Sequence, residues 1–254
     1  MIVFPHAKIN LGLHIIRKRA DGFHELETCF YPVKELHDAL EMVPSKNGVS
    51  SLKTYNSDWD GPIEQNLVWK AYQFFLEFEP DLEPFDWFLF KKIPSGGGLG
   101  GGSSDAVFAL RMLAEKAGWK KTDPRLHEIA ARLGSDCAFF LHDSPMIGTG
   151  RGEVLEPIQP LSFQFRVEFV FPGIHISTAQ AFANIQPKEP LKPISAIVKQ
   201  PISTWKEELV NDFEASVFPI YPELEAIKAR LYENGALYAS MSGSGSTMFG
   251  LFPK

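Results

Sequence analysis

A glycine-rich loop is the segment whose residue types and spacing point most directly to chemistry. Six of the seven residues from 96 to 102 are glycine, and the loop consists of Pro94, Ser95, Gly96, Gly97, Gly98, Leu99, Gly100, Gly101, Gly102, Ser103 and Ser104. Glycine admits positive φ and lets peptide N–H groups approach a ligand closely, although ordering it costs backbone entropy. A helix is predicted to begin near residue 103, and the free N–H groups and positive dipole end at its start attract an anion. The loop therefore predicts a site for the phosphates of a nucleotide.

Other interpretations of the loop fit less well. A Walker loop requires a lysine after its glycines, and none follows here. The dinucleotide fingerprint GxGxxG is met by Gly96, Gly98 and Gly101, but a run this rich in glycine meets it almost by default. The acidic residue at the expected distance, Asp123, lies in a turn that begins a helix and not at the end of a strand. A flexible linker is disfavoured, because the loop joins a predicted strand to a predicted helix and carries the apolar Leu99.

Two charged residues are candidates for phosphoryl transfer to a hydroxyl group. Such a transfer depends on positioning and charge neutralisation, and it benefits from a carboxylate that accepts the hydroxyl proton. Asp136 lies after the helix-ending Gly134, at the predicted start of the next helix, where the alternative role is an ordinary N-cap. Lys8 lies on the polar face of the first predicted strand, where a solvated surface lysine is the alternative. Asn10 shares that face through the two-residue period of a strand.

Composition and charge limit the classes of function. Hydrophobic residues make up 44% and charged residues 22% of the chain, as in soluble globular proteins. The net charge of -6 disfavours nucleic acid and anionic membranes, so a bound anion must be held by local groups. Cys29 and Cys137 are far apart, which predicts neither a disulfide framework nor a cysteine zinc site and favours a reducing compartment. Neither a signal peptide nor a membrane-spanning run is recognisable, so a cytoplasmic location is expected.

The elements that position these residues are visible as periodic patterns. Residues 8–15 alternate between apolar and polar, which predicts a half-buried strand with one polar face, and a turn at Asp21-Gly22 leads to a second strand through Phe30. The glycine loop follows a predicted strand at 87–90. Further helices are predicted at 66–76, 103–117, 123–134 and 222–234, and further strands at 165–171, 237–240 and 248–252. Pro157 and Pro160 suggest a domain boundary near residue 160.

The glycine loop resembles the second sequence motif of the GHMP kinases, the superfamily of galactokinase, homoserine kinase and mevalonate kinase. Residues 7–13 (Ala-Lys-Ile-Asn-Leu-Gly-Leu) and 19–26 (Arg-Ala-Asp-Gly-Phe-His-Glu-Leu) are similar to one branch of it, whose acceptor is a cytidine diphosphate derivative of methylerythritol in non-mevalonate isoprenoid precursor biosynthesis. Further agreement follows in order at residues 65–67, 134–137, 148–153, 211–214 and 240–246. The matches span nearly the whole chain.

This resemblance implies an α+β fold with two domains. The N-terminal ATP-binding domain, residues 1–160, would be ribosomal-protein-S5-like, and the C-terminal domain, residues 161–254, would be ferredoxin-like, with the active site between them. The resemblance implies an enzyme that uses ATP as co-substrate together with Mg²⁺. Ser103 or Ser104 is a candidate ligand of the metal, and spacing identifies no acidic one. The expected partner is a small molecule, with neither nucleic acid nor a membrane involved.

The resemblance also assigns roles to individual residues. Lys8 and Asp136 would be the catalytic pair, since a cation beside a carboxylate keeps it ionised and stabilises a developing alkoxide. Asn10 would orient the acceptor. Asn66 would hydrogen-bond the adenine, with a helix N-cap as the alternative, and Lys91 would lie along the nucleotide. The loop at residues 242–246 would support the phosphate site, with a simple tight turn as the alternative.

The acceptor implied by the resemblance carries a cytosine ring. His24 would recognise that ring by hydrogen bonds to its edge. Phe23, where relatives often carry Tyr, would keep the stacking face without the hydroxyl group, and Phe182 would cover the other face. Packing in the core is the alternative for both phenylalanines.

Three other functions stay open at this point. One is a GHMP kinase that acts on another small alcohol, such as mevalonate or homoserine, and residues 21–25 favour the cytidine acceptor over these. A nucleotide sensor without chemistry is disfavoured by the presence of both Lys8 and Asp136. A dehydrogenase would require binding of a nicotinamide cofactor.

Overall fold

The computed structural model describes residues 1–57, 60–159, 161 and 164–254. The described strands are β1 (Ile2–Val3), β2 (His6–Lys18), β3 (His24–His37), β4 (Ala39–Pro44), β5 (Ser51–Tyr55), β6 (Phe85–Phe90), β7 (Met146–Thr149), β8 (Val154–Pro157), β9 (Phe165–Val170), β10 (Tyr238–Met241) and β11 (Met248–Pro253). The described α-helices are α1 (Leu67–Leu76), α2 (Gly101–Lys116), α3 (Pro124–Leu133), α4 (Thr178–Ala183), α5 (Ile194–Ile197), α6 (Trp205–Glu208), α7 (Asp212–Val217) and α8 (Pro222–Glu233). Short 3-10 helices occur at Ile63–Gln65, Cys137–Leu141 and Ile202–Thr204.

The chain divides into two compact units that are not contiguous in sequence. Unit 1 comprises Met1–Ala7, Val33–Ser95 and Gly100–Asp143, and unit 2 comprises Lys8–Pro32, Gly96–Leu99 and Ser144–Lys254. The predicted domain boundary near residue 160 falls on Pro160, which lies outside the described residues, and it stays a prediction.

Unit 1 contains a four-stranded sheet in the order β1-β4-β6-β5. Strand β6 pairs antiparallel with β4 and parallel with β5, so that Trp87 lies opposite Met42 and Leu52. Alternate residues of β6 are buried, as expected for a strand with one face on a core. The helices predicted at 66–76, 103–117 and 123–134 are confirmed as α1, α2 and α3.

Unit 2 contains two sheets, one in the order β2-β3-β7-β8 and one in the order β10-β11-β9. The second sheet is antiparallel throughout, and its strands match those predicted at 165–171, 237–240 and 248–252. Helices α7 and α8 contribute Phe213 and Leu224 to a core cluster that also contains Leu13 and Met241. The helix predicted at 222–234 is confirmed as α8.

The polar face of β2 differs from the prediction. The two-residue period is present, but Lys8, Asn10 and His14 are only 3%, 2% and 5% exposed, so the strand is buried on both faces. Asn10 Nδ2 donates to Thr28 Oγ1 at 3.0 Å, and Thr28 Oγ1 donates to the Gly12 carbonyl at 2.6 Å. Hydrogen bonds of this kind offset the cost of burying Asn10, because a buried polar group is costly mainly when it is unpaired.

No helix in the described part of the chain combines the length and apolar character that crossing a bilayer requires.

Candidate active site

The glycine loop adopts a backbone shape suited to binding an anion. Gly96, Gly98 and Gly100 have φ values of 69°, 77° and 69°, whereas Gly97 and Leu99 between them do not have positive φ. Anion-binding concavities of the protein backbone are built from such left-handed residues next to right-handed helical ones. Gly100 is also the N-cap of α2, so the cap residue offers no side-chain oxygen to the first amides of that helix.

In unit 2, the carbonyl groups of the loop are held by protein donors. The Gly98 carbonyl accepts from Lys8 Nζ and from Ser242 Oγ, both at 2.9 Å, and the Leu99 carbonyl accepts from the Lys8 backbone N–H at 3.0 Å. A Cβ atom on Gly98 would lie 2.0 Å from the Ser242 carbonyl oxygen, so only glycine fits there. We call this set of contacts around Gly98 the Gly98 clamp.

The loop at residues 242–246 is held from a second side by α7. Asn211, the N-cap of α7, donates through Nδ2 to the carbonyls of Met241 and Gly243, both at 2.8 Å. Glu214 accepts from Ser240 Oγ and from the Met241 N–H, both at 2.9 Å. The loop contains a turn, and in addition its Ser242 Oγ donates to the Gly98 carbonyl.

Sequence reasoning assigned no role to Asn211, Glu214 or Thr28. Residues 211–214 were part of the resemblance, but their position before a helix predicts only an N-cap. Their hydrogen bonds to residues 240–243 join segments about thirty residues apart, and no local pattern reports such a contact. For Thr28, the usable signal is the two-residue period of β3, which indicates that Thr28 and Phe30 share a face.

Lys8 is a buried lysine and not a solvated one. Its Nζ lies 2.6 Å from Asn10 Oδ1 and 2.9 Å from the Gly98 carbonyl, and it sits 5.5 Å from the centroid of the Phe30 ring. The structure therefore contradicts the surface alternative and brings Lys8 and Asn10 together with the glycine loop in unit 2.

In unit 1, Asp136 occupies the N-cap position of the 3-10 helix Cys137–Leu141, but its side chain makes no capping hydrogen bond. The ordinary N-cap alternative therefore does not explain this residue. The Cys137 side chain is hydrogen-bonded to that of Ser103, which ties the turn at Asp136 to the first turn of α2. Burial raises the pKa of Cys137 to about 12, so its thiol is not a nucleophile at neutral pH.

Asn66 and Lys91 are both engaged by other groups of unit 1. Asn66 is the N-cap of α1, and its Oδ1 accepts from the Val68 N–H at 2.9 Å. Lys91 Nζ donates to the carboxylates of Asp38 and Asp105. Burial opposes the charge of Lys91, but the two carboxylates outweigh it and raise its pKa, while burial raises the pKa of Asp105 to about 8.

The predicted cytosine-binding residues lie together in unit 2. His24 stacks on Phe182 with ring centroids 4.6 Å apart and an interplanar angle of 15°, and Phe182 meets Phe213 edge-on at 4.8 Å. Phe182 is partly buried against the core cluster, so the core-packing alternative is met in part. Burial, aided by the charge of Lys18, lowers the pKa of His24, which keeps the imidazole neutral at pH 7.

Phe23 is exposed, with 54% of its surface accessible. The guanidinium of Arg151 lies over its ring at 4.8 Å from the centroid, within the range of a cation–π interaction. The backbone supports this arrangement, because the Leu26 N–H donates to the Gly150 carbonyl at 2.8 Å. Core packing is therefore not the role of Phe23.

Known proteins resemble this chain along its whole length. The family model for the GHMP kinases N terminal domain matches residues 66–144, and the model for the GHMP kinases C terminal domain matches residues 194–254. The 4-diphosphocytidyl-2-C-methyl-D-erythritol kinase of Bacteroides thetaiotaomicron is 50% identical over 255 residues, which cover 99% of this chain and 92% of the relative.

Solved structures of kinases are also similar to this chain. A crystal structure of 4-(cytidine 5'-diphospho)-2C-methyl-D-erythritol kinase superposes with a TM-score of 0.83 and 33% identity, covering 99% of this chain and 90% of that one. The homoserine kinase of Cytophaga hutchinsonii superposes with a TM-score of 0.70 at 19% identity, covering 97% of this chain and 84% of that one, which speaks for a common fold alone.

Proposed function

The chain belongs to the GHMP kinase family, in the branch of the 4-diphosphocytidyl-2-C-methyl-D-erythritol kinases, and from this membership we propose its reaction. It transfers the γ-phosphoryl group of ATP to the 2-hydroxyl of 4-diphosphocytidyl-2-C-methyl-D-erythritol, a step in isoprenoid precursor biosynthesis. The α+β, two-domain GHMP kinase fold expected from the sequence is confirmed.

The single observation that supports this reaction best is the glycine loop. Its alternating φ values and the adjoining N-terminus of α2 suit a phosphate chain, and the Gly98 clamp keeps the loop carbonyls turned toward the protein. We assign the ATP phosphates to residues 94–104. Asn66 is assigned to the adenine of ATP, and Lys91 is assigned to a position along the nucleotide.

Proton transfer is assigned to Asp136. A hydroxyl is a weak nucleophile at neutral pH, and a carboxylate within reach of its proton makes attack on the γ-phosphorus easier. The resemblance supports this assignment, and Asp136 makes no side-chain capping hydrogen bond to the 3-10 helix that follows it.

Lys8 and Asn10 are assigned to the acceptor hydroxyl. Lys8 brings a positive charge to the glycine loop, and such a charge favours negative charge developing on the acceptor oxygen and on the transferred group. Asn10 is held by Lys8 and Thr28, so its amide is fixed in orientation and suits the task of positioning the acceptor.

Magnesium is assigned to the nucleotide and not to a preformed protein site. Among the described residues, no group of three or more His, Cys, Asp or Glu side chains is arranged to hold a metal ion. Mg²⁺ commonly binds through substrate phosphates with few protein ligands, so this absence is compatible with a metal that arrives with ATP. When bound, the metal neutralises charge on the phosphates.

The cytosine of the acceptor is assigned to Phe23, His24 and Phe182. A neutral imidazole has one donor and one acceptor nitrogen, which suits the edge of a cytosine ring. The two phenylalanines supply faces for stacking. Because the imidazole of His24 already stacks on Phe182, entry of the cytosine between them would require His24 to move.

A coupled assay of ADP release tests the reaction. With 4-diphosphocytidyl-2-C-methyl-D-erythritol the protein should turn over, and with mevalonate or homoserine it should not. Turnover with either of the latter and none with the cytidine acceptor would refute the assignment. NADH should not bind, since a dehydrogenase is the competing class.

Asp136→Asn tests the assigned proton acceptor. We expect kcat to fall by at least about 10²–10⁴-fold, since a positioned base contributes that much, while the affinity for ATP stays within about twofold. Asp143→Asn is the matched control, because Asp143 forms an ion pair with Arg111 on the surface of the same unit. Full activity of Asp136→Asn would show that another group accepts the proton.

A further inference from the structure

The two ends of the phosphate loop in unit 1 are joined by a buried cluster of three ionisable side chains. We propose that Asp38, Lys91 and Asp105 form a positioning network that fixes the first turns of α2 against the end of β6, and so sets the geometry in which α2 receives the ATP phosphates. The proposal rests on the assignment of residues 94–104 to ATP, and it gives Lys91 an indirect role in place of direct contact between its ammonium group and the nucleotide.

One side of the network holds the backbone that enters the loop. Asp38 Oδ1 accepts from the backbone N–H groups of Lys92 and Ile93, the latter at 2.8 Å, and its Oδ2 accepts from Lys91 Nζ. The Lys91 N–H donates to the Tyr55 carbonyl at 2.9 Å, which continues the ladder between β5 and β6. The chain is therefore fixed up to the residue before Pro94.

The other side of the network holds the helix that leaves the loop. Asp105 lies in the opening turns of α2, and its Oδ2 accepts from Lys91 Nζ at 2.6 Å. The approach is close, because a Cβ atom on Gly101 would lie 2.9 Å from Ile93 Cγ2 and 3.4 Å from Lys91 Nζ. The ammonium group of Lys91 therefore connects the strand end to the helix start.

The network is closed off from solvent. The side chains of Asp38, Asp105 and Lys91 are 0%, 3% and 9% exposed. Buried ion pairs of this kind add little net stability compared with apolar residues, and their best-attested use is to specify one geometry. A register-setting role fits here, because the helix N-terminus attracts phosphate only over its first turn, and an error of about 1 Å in position can cost about 10²-fold in rate.

The experiment measures binding of a non-hydrolysable ATP analogue by titration calorimetry, with Lys91→Met and Asp105→Ala alone and combined. If the network positions α2, each single change weakens analogue binding about tenfold relative to wild type. The double change also weakens it about tenfold relative to wild type, and not about a hundredfold, because both substitutions remove the same connection. KM for ATP should rise in parallel, while KM for the cytidine acceptor stays within about twofold.

Two controls keep the outcome interpretable. Lys116→Met makes the same chemical change at the other end of α2, where Lys116 pairs with Glu83 at 2.7 Å, and it should leave analogue binding unchanged. Asp105→Asn keeps an oxygen that accepts from Lys91, so it should restore most of the affinity that Asp105→Ala loses. If Lys91→Met fails to fold, the comparison of Asp105→Ala with Asp105→Asn decides alone.

A direct contact between Lys91 and the nucleotide predicts the opposite pattern. Asp105→Ala would then free the ammonium group and leave analogue binding equal or tighter, and that result overturns the proposal. A wild-type protein that binds the analogue yet phosphorylates no acceptor would instead refute the proposed reaction, and the binding measurements would still decide the role of the network.

Discussion

Gly98→Ala is the substitution whose effect can be worked out most fully from the structure. The new Cβ atom would lie 2.0 Å from the carbonyl oxygen and 2.9 Å from the carbonyl carbon of Ser242. A methyl carbon and an oxygen normally stay more than about 3 Å apart, so the two backbones must separate by roughly 1 Å. The φ of 77° adds about 1–2 kcal/mol of strain for any residue with a side chain.

The expected loss of function follows from that displacement. Moving the loop by roughly 1 Å disturbs the hydrogen bonds from Lys8 and Ser242 to the Gly98 carbonyl and shifts the amides assigned to the phosphates. Since a misplacement of this size can cost about 10²-fold, we expect kcat/KM for ATP to fall by about 10²-fold or more. The assay is steady-state ADP release at saturating acceptor, with the melting temperature measured in parallel.

Gly118→Ala is the matched control for this change. Gly118 also has a positive φ, 75°, but a Cβ atom there would meet nothing within 4 Å. It should lose about 1–2 kcal/mol of stability through φ strain and keep its activity. If Gly98→Ala behaved like Gly118→Ala, with full activity and only a small stability loss, the Gly98 clamp would have no role in ATP use.

Three further predictions concern stability and reactivity. Asn211→Ala should lower the free energy of unfolding by about 2–4 kcal/mol in urea titrations, because it removes a helix cap and one donor from each of two buried carbonyls, whereas Ser177→Ala at the exposed cap of α4 should cost only about 1 kcal/mol; equal losses would contradict this. Burial raises the pKa of Asp105 from its ordinary value of 3.8 to about 8, so the folded state keeps a proton that the unfolded state releases, and the free energy of unfolding should fall as pH rises between these values; Asp105→Asn should make that dependence shallower, and an unchanged slope would show that Asp105 is not its source. Burial likewise raises the pKa values of Cys29 and Cys137 to about 12, so the folded protein should resist alkylation at pH 8 by iodoacetamide and react only in denaturant, as mass spectrometry would detect.

Local patterns were sufficient to predict the elements that flank the glycine loop. Helix α2 follows from apolar spacing after residue 103, and α3 follows from an Asp-Pro start and Gly134 at its end. Strand β3 was predicted only through Phe30 but continues through Pro32 to His37. Short strands such as β1 and β7 carry too few residues for a period to be recognised.

The site could be predicted only where a residue type carries its own chemistry. The glycine loop was found from residue type and spacing, Lys8 was selected by the resemblance, and Asn10 was selected because it shares the face of Lys8. The structure brings Lys8 and Asn10 together with residues 96–99 of the loop in unit 2. The burial of Lys8 was missed, because it depends on residues 90 positions away along the chain. The pairing of Lys91 with Asp38 joins residues 53 positions apart, and neither has a sequence context that indicates a buried ion pair.

The interleaved order of the two units has a consequence for biosynthesis. Unit 1 has all of its residues by Asp143, whereas residues 8–32 of unit 2 must wait for segments that extend to the end of the chain. Since a chain leaves the ribosome from its N-terminus and domains fold as units, strand β2 is made early and finds its neighbours late. The Gly98 clamp in particular cannot form before Ser242 has been translated, so ribosome-bound chains that stop short of that residue should lack the hydrogen bond from Ser242 to the Gly98 carbonyl.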